Sequence, residues 1–72
     1  MNKIPKHGQF VVVWWWANKP WSATYQWSEG KLELYDTVLG FFDNNCPAPA
    51  DLQRHIDKYN AKIIHTGDIQ SW

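Results

Sequence analysis

Cysteine is nearly absent from this 72-residue chain: Cys46 stands alone, so no intrachain disulfide can form and no thiolate zinc cluster can assemble. Long hydrophobic runs are missing too. The longest apolar stretch is Phe10 to Ala17, far below the roughly 20 residues a membrane-spanning helix needs. Met1 to Gly8 lacks the apolar segment of a signal peptide. These absences, with a lone unpaired cysteine, predict a cytoplasmic protein without membrane association. The four glycines are isolated, so no glycine-rich phosphate loop is present. The seven acids, Glu29, Glu33, Asp36, Asp43, Asp51, Asp57 and Asp68, are scattered rather than paired for general acid and base work.

Histidine is sparse as well. His7, His55 and His65 show no i, i+4 pair that would set two imidazoles on one helical face, so no metal site is expected. Cys46 with histidines elsewhere meets only the minimal ingredient list for a thiol nucleophile. A semi-exposed loop thiol is the plainer reading. The expectation is a non-enzymatic protein with no catalytic residue, no metal and no cofactor.

The formal net charge is zero and the pI is near 6.8, so no global field favours nucleic acid or a membrane surface. The charges are nevertheless segregated. Residues 1–28 carry Lys3, Lys6 and Lys19 and no acid, whereas residues 29–72 carry four bases and seven acids.

What the chain does have is aromatic surface: six tryptophans, three tyrosines and three phenylalanines. A chain this short, expected to form one domain over residues 1–72, buries only about 60% of the surface its unfolded form exposes. Bulky rings, each able to bury roughly 150–250 Å², must take the place of disulfides or a metal. Trp14, Trp15 and Trp16 are consecutive, so they cannot all point one way.

The period of the apolar residues predicts an α+β fold. Gln9 to Trp16 is β-branched and aromatic on both alternating faces and reads as a central strand, with Phe10, Val12, Trp14 and Trp16 on one side and Val11, Val13 and Trp15 on the other. Ala17-Asn18-Lys19-Pro20 breaks it as a turn. Trp21 to Ser28 alternates cleanly, with Trp21, Ala23, Tyr25 and Trp27 on one face. Ser28-Glu29-Gly30-Lys31 is a hairpin loop, and Lys31 to Asp36 a third strand with Leu32 and Leu34 inward.

Asp36-Thr37 can cap a short helical turn, since Val38, Leu39 and Phe42 keep helical spacing from Tyr35, but Gly40 weakens it. Residues 36–43 are left open between helix and strand, and Phe41 and Phe42 between core and interface. Pro49-Ala50-Asp51 opens the main helix. Its stripe is Leu52, Ile56 and Tyr59, with Gln53, Arg54, Asp57 and Lys58 toward water. Ala61 to Thr66, with Ile63 and Ile64, is the last strand, and Gly67-Asp68 begins a tail ending in Trp72. The predicted order is βββ(α)αβ: a three-stranded antiparallel meander plus a C-terminal strand, with one main helix on one face.

One apolar stripe on one helix covers only one face of the first strand. For Trp14, Trp16 and Trp27, core burial competes closely with exposure; for Trp15 and Trp21 the balance tips to exposure. The candidate binding face is therefore Trp15, Trp21 and the turn residues Asn18, Lys19 and Pro20. Exposed indoles suit a protein partner, where Trp and Tyr dominate hot spots. They also suit stacking with single-stranded nucleic acid or a glycan. Three lysines without arginine in residues 1–28 are poor for tracking phosphate, so a protein partner leads, with homodimerisation as a variant and nucleic acid behind.

The Trp-rich strands invite comparison with WW domains and small carbohydrate-binding modules, yet the run from Trp14 to Trp27 carries the motif of neither. In composition the chain is similar to very small, charge-balanced, aromatic-rich phage and mobile-element proteins that inhibit or modulate host machinery. That resemblance implies an inhibitor-like interaction module.

Overall fold

Alternation along the N-terminal half becomes a sheet. The computed structural model describes residues 3–65, and in it β1 (Gln9–Trp16), β2 (Lys19–Ser28), β3 (Lys31–Asp36) and β4 (Phe41–Asp43) precede α1 (Pro49–Tyr59) and β5 (Lys62–His65). The sheet order is β4-β3-β2-β1-β5, and every neighbouring pair is antiparallel. The predicted small α+β architecture, an antiparallel meander with one helix, is what the chain adopts. Thr66 and the tail to Trp72 lie outside the described residues.

Two tight turns set the register. Ala17 and Asn18 have φ of 53° and 63°, and Glu29 and Gly30 have 52° and 77°. Two successive left-handed residues make the turn that matches the right-handed twist of a β-hairpin. The first loop is therefore only two residues long. Lys19 and Pro20, expected in the turn, belong to β2 instead, opposite Trp16 and Trp15.

After β3 the chain makes one capped turn that does not continue into a helix. Asp36 accepts hydrogen bonds at its carboxylate from the backbone N–H of Val38 (2.8 Å) and Leu39 (2.9 Å), and Gly40 N–H donates to Asp36 C=O at 2.7 Å with φ of 81°. The carboxylate caps this turn as an N-cap does, and Gly40, in the left-handed region, ends it after one turn. The chain thus reverses, and Phe41 and Phe42 pair with Asp36 and Tyr35 as β4.

Pro49 starts α1 at a position whose N–H would lack an intrahelical acceptor. Asn60, in the left-handed conformation, ends it, its N–H returning to the last turn. Leu52 and Ile56 are each 1% exposed and seat the helix on Phe10, Val12, Tyr25, Leu32 and Ala61, with Ile4, Trp14, Ala23, Trp27, Leu34, Cys46 and Ile63 packed around that cluster. Gln53, expected in water, is half-buried because its side-chain oxygen accepts the Ile4 N–H at 3.0 Å. Trp27 is likewise held from the N-terminal segment: its indole N–H donates to Pro5 C=O at 2.7 Å.

The opposite face of the sheet carries no covering element among the described residues. Its lower half is a polar ladder: Gln9 donates to Gln26 (3.1 Å), which donates to Glu33 (2.7 Å), across three strands.

Candidate functional site

The β1–β2 hairpin outgrows its neighbours. β5 pairs with β1 only from Phe10 to Val13, and β3 pairs with β2 only from Tyr25 to Ser28. Residues 14–16 with 19–21 therefore form a two-stranded ribbon. Its tip carries Trp15, 67% exposed, Trp16, 54%, and Trp21, 43%. Pro20 is tolerated there because its ring nitrogen lies on the outer edge of β2, where no strand pairs. The parity follows from Trp27, whose N–H donates to Gly8 C=O at 3.0 Å, so odd residues of β2 bond toward β1 and even ones away from it.

The five sequence-predicted residues all sit at this tip, but on two faces. Trp14 is opposite Trp21 and Trp15 opposite Pro20, and directly paired residues share a face. Trp15 and Pro20 therefore lie on the uncovered face. Trp21 and Lys19 lie on the helix side with Trp16, and Asn18 is at the apex. Trp21 is locked to Trp16: its indole N–H donates to Trp16 C=O at 3.0 Å, and the rings meet edge-on with centroids 6.0 Å apart. Trp16, for which burial and exposure competed in the sequence, is exposed because α1 stops short of it. Trp14 is half-buried, edge-on to His55 at 4.7 Å, and His55 in turn touches Tyr59 at 4.8 Å.

A second apolar tip was not legible in the sequence. In an antiparallel meander the β1–β2 and β3–β4 loops emerge at the same end of the sheet. The β3–β4 loop presents Val38 at 90% exposure and Leu39 above half, and Phe41, the first residue of β4, is also above half. Tyr35 is also exposed and stacks edge-on with half-buried Phe42, centroids 5.2 Å apart. Seven of the eight large hydrophobic side chains exposed among the described residues, all but Ile64, thus lie at one end of the sheet. The signal that could have found this loop is Asp36 itself, a turn former followed by three residues and Gly40.

The loop thiol is built differently from a nucleophile. Cys46 Sγ–H donates to Leu32 C=O at 3.2 Å. Burial first, and then the negative charges of Glu33 and Asp43, push its pKa up, which disfavours the thiolate that nucleophilic chemistry needs. Among the described residues no three His, Cys, Asp or Glu side chains gather where they could hold a metal ion. No described helix is long and apolar enough to cross a membrane.

The fold and this tip define a small antiparallel α+β protein with an aromatic hairpin end. No protein-family model matches the chain significantly, and neither does any curated protein or solved structure.

Proposed function

We propose that this chain is a non-enzymatic protein-interaction module that docks through its aromatic hairpin end, acting as a small inhibitor or modulator of the protein it binds. One observation carries the reading: the gathering of Trp15, Trp16, Trp21, Tyr35, Val38, Leu39 and Phe41 at a single end of the sheet. Exposed hydrophobic residues scattered singly are normal on a monomer, whereas several at one end of a sheet offer a partner more than one apolar anchor. The backbone chemistry of the second loop supports it. Its Val38, Leu39 and Gly40 N–H groups are already satisfied by Asp36, so covering the loop strands none of these donors. The tip bears rigid indoles, the residue type that anchors protein hot spots.

The test is affinity capture from cell lysate with the tagged wild-type chain, the Trp15→Ala, Trp21→Ala double variant and a Val38→Ser variant, each with and without nuclease. A defined protein partner that survives nuclease, and is lost with the double variant, is the expected result. Undiminished capture by the double variant overturns the reading. Nuclease-sensitive recovery that weakens steeply with salt transfers the site to nucleic acid. Sedimentation of the purified chain separates self-association from binding to another protein.

A further inference from the structure

The ribbon leaves a backbone edge open beside a cavity. Even residues of β1 bond β2, so the N–H and C=O of odd residues point toward β5. Val11 and Val13 meet Ile64 and Lys62 there, but β5 begins at Lys62, and the next residue back, Ala61, is drawn away to donate its N–H to Ile56 C=O. Trp15 is the next odd residue, and no described strand pairs with it on that side. The notch so formed is a cavity of about 390 Å³ lined by Val13, Trp14, Trp15, Tyr59, Asn60 and Lys62.

Among the described residues, the charged side chains around this notch are of one sign. β1, β2 and β5 contain no acid at all. Lys62 lines the cavity, and Lys58 Nζ lies 5.3 Å from the centre of the Tyr59 ring that forms its wall. Asp57 is on the other flank of α1, where it accepts from Gln53, the residue that holds the N-terminal segment through Ile4. The α1 C-terminus brings a partial negative charge of about one half, against two full ammonium charges.

We propose that the partner enters this notch as an extended segment carrying carboxylate side chains, adding to the edge of β1 at Trp15. Its backbone exchanges hydrogen bonds with the Trp15 N–H and C=O. An apolar side chain fills the cavity between Trp14 and Tyr59 on the helix side, and the next side chain, a carboxylate on the other face, reaches Lys62. Strand addition of this kind takes affinity from main-chain bonds and specificity from alternate side chains. The inference rests on the docking function proposed above and names the chemistry of the partner.

The test uses the full chain and three fluorescein-labelled, capped eight-residue peptides: one alternating Glu and Val, one alternating Lys and Val, and the Glu-Val peptide N-methylated at alternate backbone nitrogens. Binding is read by fluorescence anisotropy, with amide exchange of the Trp15 N–H followed by NMR. The expected result is saturable binding of the Glu-Val peptide alone, protection of the Trp15 amide, and a roughly tenfold loss, about 1.4 kcal/mol, for Lys62→Glu. Circular dichroism verifies that Lys62→Glu is folded. Equal binding of the Lys-Val or N-methylated peptide, an unaffected Lys62→Glu variant, or no binding of the Glu-Val peptide at millimolar concentration overturns the inference. A captured protein that depends on Trp15 and Trp21 but is indifferent to Lys62→Glu overturns the inference alone and leaves the docking function standing.

Discussion

Replacing Trp15 by alanine should cost little stability, while replacing Ile56 by alanine should remove a large part of it. Trp15 is 67% exposed and Ile56 only 1%. A tryptophan buries at most roughly 250 Å². The covered third of Trp15 is then roughly 80 Å², worth at most about 2 kcal/mol at about 25 cal/mol per Å², and alanine retains part of that cover. Ile56 sits among Leu52, Phe10 and Val12, where its truncation removes packing and leaves a cavity, at a cost of about 2–5 kcal/mol. A domain of this size has a total stability of only about 4–11 kcal/mol. Urea unfolding followed by far-ultraviolet circular dichroism suits the comparison, because its midpoint follows chiefly the loss of backbone structure. Expected are a midpoint for Trp15→Ala within reach of wild type, an intermediate one for Trp21→Ala, which loses its bond to Trp16, and a sharply lowered one for Ile56→Ala. Equal losses for Trp15→Ala and Ile56→Ala would show that Trp15 is core and refute the exposed-tip reasoning.

Other outcomes follow from local geometry. Glu29 holds a left-handed φ of 52° in a two-residue hairpin turn; Glu29→Asn, a residue that adopts this conformation readily, should raise stability by up to about 1 kcal/mol, read as a higher urea midpoint. Asp36→Ala removes the acceptor of the Val38 and Leu39 amides, so hydrogen exchange at those two amides should accelerate while Phe10 and Ile56 amides stay protected. The Cys46 thiol has a raised pKa through burial and then through Glu33 and Asp43. Iodoacetamide at pH 8 should therefore label the native chain more slowly than the urea-unfolded chain. The corresponding stability is complete below the thiol's unfolded pKa and declines as pH rises through its raised native value, so the urea midpoint should drop on the alkaline side; a Cys46→Ser variant should lack that part of the decline.

Much of this fold was legible one element at a time. Period-two alternation from Trp21 to Ser28 is a strand with one inward face, and Tyr25 is buried as that pattern requires, as is Leu32 on the third strand. The proline, acid and i, i+4 spacing of Pro49, Asp51, Leu52 and Ile56 determine a helix and its buried stripe. Even the exposure of Trp15 followed from counting, since one helix cannot cover two faces of a strand.

The tertiary structure decided what depends on where neighbours end. Trp14 and Trp16 share a face, yet Trp14 is partly covered by His55 and Trp16 is not, because the helix ends beneath one and before the other. The separation of Trp15 from Trp21 hinges on a loop of two residues; a turn read loosely over Ala17 to Pro20 loses that parity, and a slip of one residue exchanges the faces. Residues 36–43 had helical spacing, and Asp36 does cap one turn, but Gly40 in the left-handed region ends it there and the chain returns as β4. Periodicity is written along the chain, so the sequence by itself determined the elements and their inward faces. Exposure and edge pairing depend on the lengths of adjacent elements, which only the assembled sheet and helix bring side by side.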